Sequence, residues 1–143
     1  VKFAMLEHEE PWQWFKERTH VIRCEDTTGI IAYDERGIQG MCVADSFSVD
    51  SCNVHFCIPN PMSIRAGIFT IFADYIFDVR GVKRMFGLVP DNNEKAIRLD
   101  KKLGFREVAR VPDAISDGVG YVVMRIDRDA NRWRTANQQK EAA

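Results

Sequence analysis

His55 is the side chain here best suited to move a proton at neutral pH, because an unperturbed imidazole titrates close to it. It stands in the run Asn-Val-His-Phe-Cys-Ile, residues 53–58, which reads as a β-strand. Side chains alternate across a strand, so His55 and Phe56 face opposite ways. If Phe56 packs beneath a helix, His55 faces the other side. There it is either a general base in a cleft or a hydrogen-bonded, partly buried structural histidine. Asp45 and Asp50 are carboxylates that could serve instead as a base through a water. Tyr121, entering the last strand-like run, is a candidate proton donor. Cys57 has apolar neighbours and no basic partner, which argues against a thiolate nucleophile.

Cys24, Cys42, Cys52 and Cys57 form no Cys-x-x-Cys pair, and with His8, His20 and His55 they give no zinc-like spacing. No metal site is expected. Free thiols in a reducing, cytoplasmic interior are expected, since a chain this long can fold without disulfides.

The elements that would position these groups follow from periodicity. Residues 11–17 read as a short helix with Pro11 in its first turn and Trp12 and Phe15 inward. Residues 21–24 read as a short extended piece. Residues 29–33 and 39–48 flank Asp34-Glu35-Arg36-Gly37, a hairpin signal. Residues 64–79 carry Ile68, Phe69, Phe72, Ile76 and Val79 at helical spacing, with Ser63 as a cap and Gly81 as a stop. Residues 83–89 read as a strand. Asn92 or Asn93 can cap a helix ending at Gly104, with Ala96, Ile97, Leu99 and Leu103 as its apolar side. Residues 106–111 and 120–126 read as final strands joined by a polar loop over 112–118. The strand–helix–strand stretch from 53 to 89 needs a crossover, so its two strands should be parallel. The result is an α/β domain: a mixed, mostly antiparallel sheet with flanking helices. One domain over 1–133 and a polar tail over 134–143 are expected.

With 143 residues, 45% of them hydrophobic and 29% charged, the chain can bury its own core. A net charge of -1 gives no basic field for a nucleic-acid backbone. No apolar run approaches the roughly 20 residues that span a bilayer. Glu7, Glu9 and Glu10 make the start unlike a secretory signal.

The run Asn93-Glu-Lys-Ala96-Ile-Arg-Leu99, followed by Lys102-Leu-Gly104-Phe105, resembles the Asn-x-x-Ala-x-x-Leu … Lys-x-Gly-Phe pattern of the GNAT family of N-acetyltransferases. The resemblance covers roughly residues 20–127. The stretches Gly87-Leu-Val-Pro-Asp-Asn-Asn-Glu-Lys-Ala96 and Arg110-Val-Pro-Asp113 are similar to a phage- or prophage-type branch near the ribosomal-protein-acetylating enzymes.

That resemblance implies a fold whose fourth and fifth strands start parallel and then splay. It implies acetyl-CoA as co-substrate and an amine of a protein or small molecule as acceptor. The pantetheine arm would pair along the strand carrying Phe56 and Ile58, and the pyrophosphate would lie on the loop Ile64-Arg65-Ala66-Gly67. Asn93 would contact the pantetheine region, and Lys102 a phosphate. On their own chemistry, not on the family pattern, His55 and Tyr121 are the expected catalytic pair. The chain departs from the family pattern at Ile64, where the family has Gln or Arg, and at Phe69, where it has a small residue. Phe69 either crowds the cofactor or turns into the core. At Asp100 many relatives place a proton-donating Tyr. Set among Lys95, Arg98, Lys101 and Lys102, Asp100 reads as a solvated helix residue. A catalytically silent CoA-binding or protein-interaction module is the alternative function, and a homodimer could complete the sheet.

Overall fold

The structure, a computed structural model, describes residues 1–133; the expected polar tail over 134–143 lies outside the described residues. Seven strands form one sheet in the order β1-β2-β3-β4-β5-β7-β6. They are β1 (Lys2–Met5), β2 (Thr28–Asp34), β3 (Gly37–Asp45), β4 (Ser51–Cys57), β5 (Arg84–Pro90), β6 (Arg106–Ser116) and β7 (Val119–Asp127). All neighbours are antiparallel except β4 and β5, which are parallel as the crossover required.

Helices cover both faces. On one lies α1 (Glu9–Thr19), whose Trp12 and Phe15 pack with Ile31, Met41 and Val43. On the other lie α2 (Met62–Ala66), α3 (Ile68–Asp74) and α4 (Glu94–Leu103), over the larger core built on Cys52, Val54, Met85 and Met124. Strand alternation separates the two cores: Val54 and Phe56 of β4 meet the α3–α4 side, and Cys57 meets the α1 side.

Four expectations are corrected. Residues 21–24, expected as a short extended piece, join no strand of the sheet; the outer edge of β2 is paired by β1, from Lys2↔Tyr33 to Met5↔Ile30. The helix expected over 64–79 is broken at Gly67, whose φ of 107° is left-handed backbone that glycine adopts without strain. Its last turn, Tyr75–Val79, is π-helical, with Arg80 N–H bonded to Tyr75 C=O. The wider turn rotates the apolar face, so Phe77 is buried and Val79 is 72% exposed. Ser63 does not cap the helix; its hydroxyl is buried beside Gly40, with no hydrogen-bond partner among the described residues. Finally, β6 runs on to Ser116, through most of the expected loop.

Candidate functional site

The central strands hold each other only briefly. β4 and β5 pair through Ser51↔Arg84, Cys52↔Met85 and Asn53↔Phe86, and no further. Beyond that point each keeps only its outer neighbour: β4 stays on β3 as far as Met41↔Cys57, and β5 stays on β7 as far as Pro90↔Tyr121. The facing edges from 54 to 57 and from 87 to 90 are left without ladder partners, so an extended, amide-bearing ligand could pair with them. A cavity of about 310 Å³ opens there, reaching from the end of α1 at Arg18 to Asp100 of α4.

His55 lies on the α1 side of the slot. It shares that face of β4 with Cys57 and sits opposite Val43. Its Nε2 is 2.9 Å from Oδ2 of the buried Asp45, and Asp45 Oδ1 accepts a hydrogen bond from Ser46 Oγ at 3.0 Å. A carboxylate accepts only, so in the neutral ring Nε2 carries the proton and Nδ1 has the lone pair. The bond also orients the ring, which is what a base held for one task requires. Asp45, expected as an alternative base through water, is the hydrogen-bond partner of His55. Asp50 is exposed at its carboxylate and lies by Lys83, away from the slot.

Asp100 is the residue that sequence reasoning misplaced. It is not solvated: only 6% of it is exposed, and it lines the cavity from the α4 side. Ala96, Asp100 and Leu103 form one stripe of α4 at helical spacing, and that stripe faces the sheet. Gly87 makes room for the carboxyl: a Cβ at that position would stand 3.2 Å from Asp100 Oδ2. No hydrogen bond or ion pair to this carboxyl is found among the described residues, and Arg98 pairs instead with Glu94. Burial pushes its pKa up from 3.8 to about 7.

Asn93 also lines the cavity, at the start of α4. Its Oδ1 accepts the Ala96 N–H at 3.2 Å, so it caps the helix, and its Nδ2 remains free to donate. Asn93→Ala should therefore cost about 1 kcal/mol, read as a lower midpoint in urea unfolding.

The remaining expected residues divide. Phe56 lines the slot and packs edge-on against Phe69, Phe72 and Phe105. Phe69 is fully buried in that cluster, so it turns into the core and leaves the cavity open. Ile58 lies beyond β4, packed on the core near Gly40. Ile64 is buried, Arg65 and Ala66 are exposed, and Gly67 joins α2 to α3. Lys102 is exposed on α4. Tyr121 sits in register with Pro90, outside the residues that line the cavity. Burial raises the Cys57 thiol, which disfavours a thiolate.

No protein-family model matches the sequence, and no curated protein matches it. Solved structures do share its fold. The spermidine/spermine N-acetyltransferase SpeG from Vibrio cholerae matches with a TM-score of 0.70 at 14% identity, over 90% of this chain and 92% of its own. A spermidine N-acetyltransferase chimera of Vibrio cholerae SpeG and hSSAT gives 0.69 at 13% identity, over 90% and 97%. A protein from Desulfovibrio desulfuricans assigned to the GNAT acetyltransferases gives 0.64 at 13% identity, over 89% and 99%. At such identities the likeness establishes the fold: a mixed, mostly antiparallel GNAT-type sheet with flanking helices.

Proposed function

We propose that this chain is an acetyl-CoA-dependent N-acetyltransferase. The observation that carries this reading is the slot between β4 and β5, with an oriented imidazole on one side of it. The pantetheine arm resembles a peptide and would add to the unpaired edge of β4 beside Phe56 and Ile58. The backbone from Ile64 through Arg65 and Ala66 to Gly67 would meet the pyrophosphate. Asn93 Nδ2 would donate to the arm, and Lys102 would lie near a phosphate. His55 Nδ1 would take the proton that the acceptor amine loses as its nitrogen attacks the thioester carbon. A backbone amide of β4 would stabilise the oxyanion. Tyr121, in register with Pro90, remains a residue to test.

The open cavity favours an enzyme over a silent module, because Phe69 does not fill it. The four cysteines are free thiols, which suits a cytoplasmic setting. Among the described residues no helix is long and apolar enough to cross a membrane. Two structural neighbours are named for spermidine, so polyamines head the acceptor panel. Ribosomal-protein amines of the phage-type branch follow, resting on the sequence runs 87–96 and 110–113 alone.

Isothermal titration with acetyl-CoA, followed by CoA release across an amine panel, tests the reading. Saturable binding and amine-dependent release are expected. No binding at millimolar acetyl-CoA would overturn it, and tight binding without turnover would favour the silent module.

A further inference from the structure

Resting on that transfer reading, we propose that Asp100 is a catalytic residue: its carboxyl gives a proton to the coenzyme A thiolate as it leaves. The argument begins with position. His55 approaches the slot from the α1 side and Asp100 from the α4 side, so the two groups stand on opposite faces of the sheet with the gap between them. A reaction that takes a proton from an incoming amine and returns one to a departing sulfur needs two such groups, and needs them apart.

Elimination among the cavity's titratable and charged groups leads to the same residue. From α1 the cavity receives Arg18, which donates to Trp14 C=O at 2.9 Å; a guanidinium is no proton donor to a leaving thiolate. From β4 it receives His55, already committed to Asp45, and Cys57, a weak acid made weaker by burial. From β5 and the rest of α4 it receives none. Asp100 alone is a carboxyl that burial keeps substantially protonated near neutrality.

The isolation of this carboxyl supports the role. A buried carboxyl without a partner destabilises a fold. Gly87, which lines the gap on β5, leaves room for it: a Cβ there would stand 3.2 Å from Asp100 Oδ2. An acid poised to protonate a ligand atom has its partner only when the ligand is present.

The step balances. The amine nitrogen forms a bond to the acetyl carbon, and the carbon–sulfur bond breaks with its electron pair on sulfur. His55 Nδ1 takes the proton lost by nitrogen, and Asp100 passes its own to sulfur, directly or through one water. Solvent then carries the proton from the imidazolium back to the Asp100 carboxylate.

Asp100→Asn, Asp100→Glu and the parent enzyme decide the matter. In the parent, kcat should fall above a pH of about 7, as Asp100 loses its proton. In Asp100→Asn, kcat at pH 6.5 should drop about 10²-fold and the alkaline limb should vanish, with the Kd for acetyl-CoA within about twofold of the parent. Asp100→Glu should restore part of the rate and the limb. An unchanged kcat and limb in Asp100→Asn would overturn the proposal. Carbon-13 NMR of the carboxyl gives a readout that needs no turnover. Its titration should fall near 7 and shift when free coenzyme A binds. A resonance that titrates near 4, or that ignores coenzyme A shown by calorimetry to be bound, would overturn the proposal even in an active enzyme. Absence of turnover with every amine would instead count against the transfer reading.

Discussion

Asp100→Asn should make the protein more stable at pH 8 than its parent, while the two differ far less at pH 4. The sign follows from where the proton is held. In the unfolded chain Asp100 ionises near 3.8; in the fold burial raises this to about 7. The native state therefore holds a proton that the unfolded state has released. Its stabilising contribution is fully present below pH 3.8 and is lost as the pH rises through 7. The rise corresponds to roughly 4 kcal/mol in all. For a chain of 143 residues that is on the order of 10 °C in melting temperature. The amide of Asn cannot ionise, so the variant escapes this loss. Thermal unfolding of both proteins from pH 4 to pH 8 measures it. Parallel stability curves would mean that the Asp100 carboxyl is solvated after all. The favourable effect of the substitution on stability, set against its expected damage to turnover, is the pattern of a group retained for chemistry.

His55→Gln should lower kcat/KM at pH 7 by about 10²–10⁴-fold with little change in melting temperature. Gln can still donate to Asp45 Oδ2, which keeps the buried carboxylate paired, but it cannot accept a proton. The deficit should shrink toward pH 9, where a growing share of the amine is already neutral. Asp45→Asn should cost less, about tenfold, since an amide oxygen still accepts the Nε2 proton while the imidazolium loses its counter-charge. The assay is thiol release, with a protein-only baseline because Cys24 is exposed and free. Full activity in His55→Gln would remove the imidazole from the mechanism.

Much of this was legible in the residues. The alternation of 53–58 placed His55 opposite Phe56, and the crossover fixed β4 and β5 as parallel. The Asn93–Gly104 helix was legible from its cap and stop, because both are local chemistry. Asp100 was also legible in principle, four residues after Ala96 and three before Leu103. Its charged neighbours Arg98, Lys101 and Lys102 hid it, since they suggested a solvated face. The partnership of His55 with Asp45 was not legible. It depends on the register Val43↔His55 across a pair of strands, which local patterns do not encode. Strand β1 was missed for a similar reason: four residues carry little periodicity, and only the free edge of β2 makes them a strand. The π-turn at Tyr75–Val79 adds a residue per turn, and no 3.6-residue template anticipates it.

The short pairing of β4 with β5 also bears on cohesion. One half-sheet, β1 to β4, and the other, β5 to β7, are joined across the sheet by three residue pairs. Elsewhere they are held through the shared core beneath α3 and α4. The seam is the place where the sheet's own hydrogen bonds resist opening least. An extended ligand seated between Val54–Cys57 and Gly87–Pro90 would add bonds along that seam. Occupancy would then be felt as slower amide exchange in both half-sheets, at residues the ligand never touches.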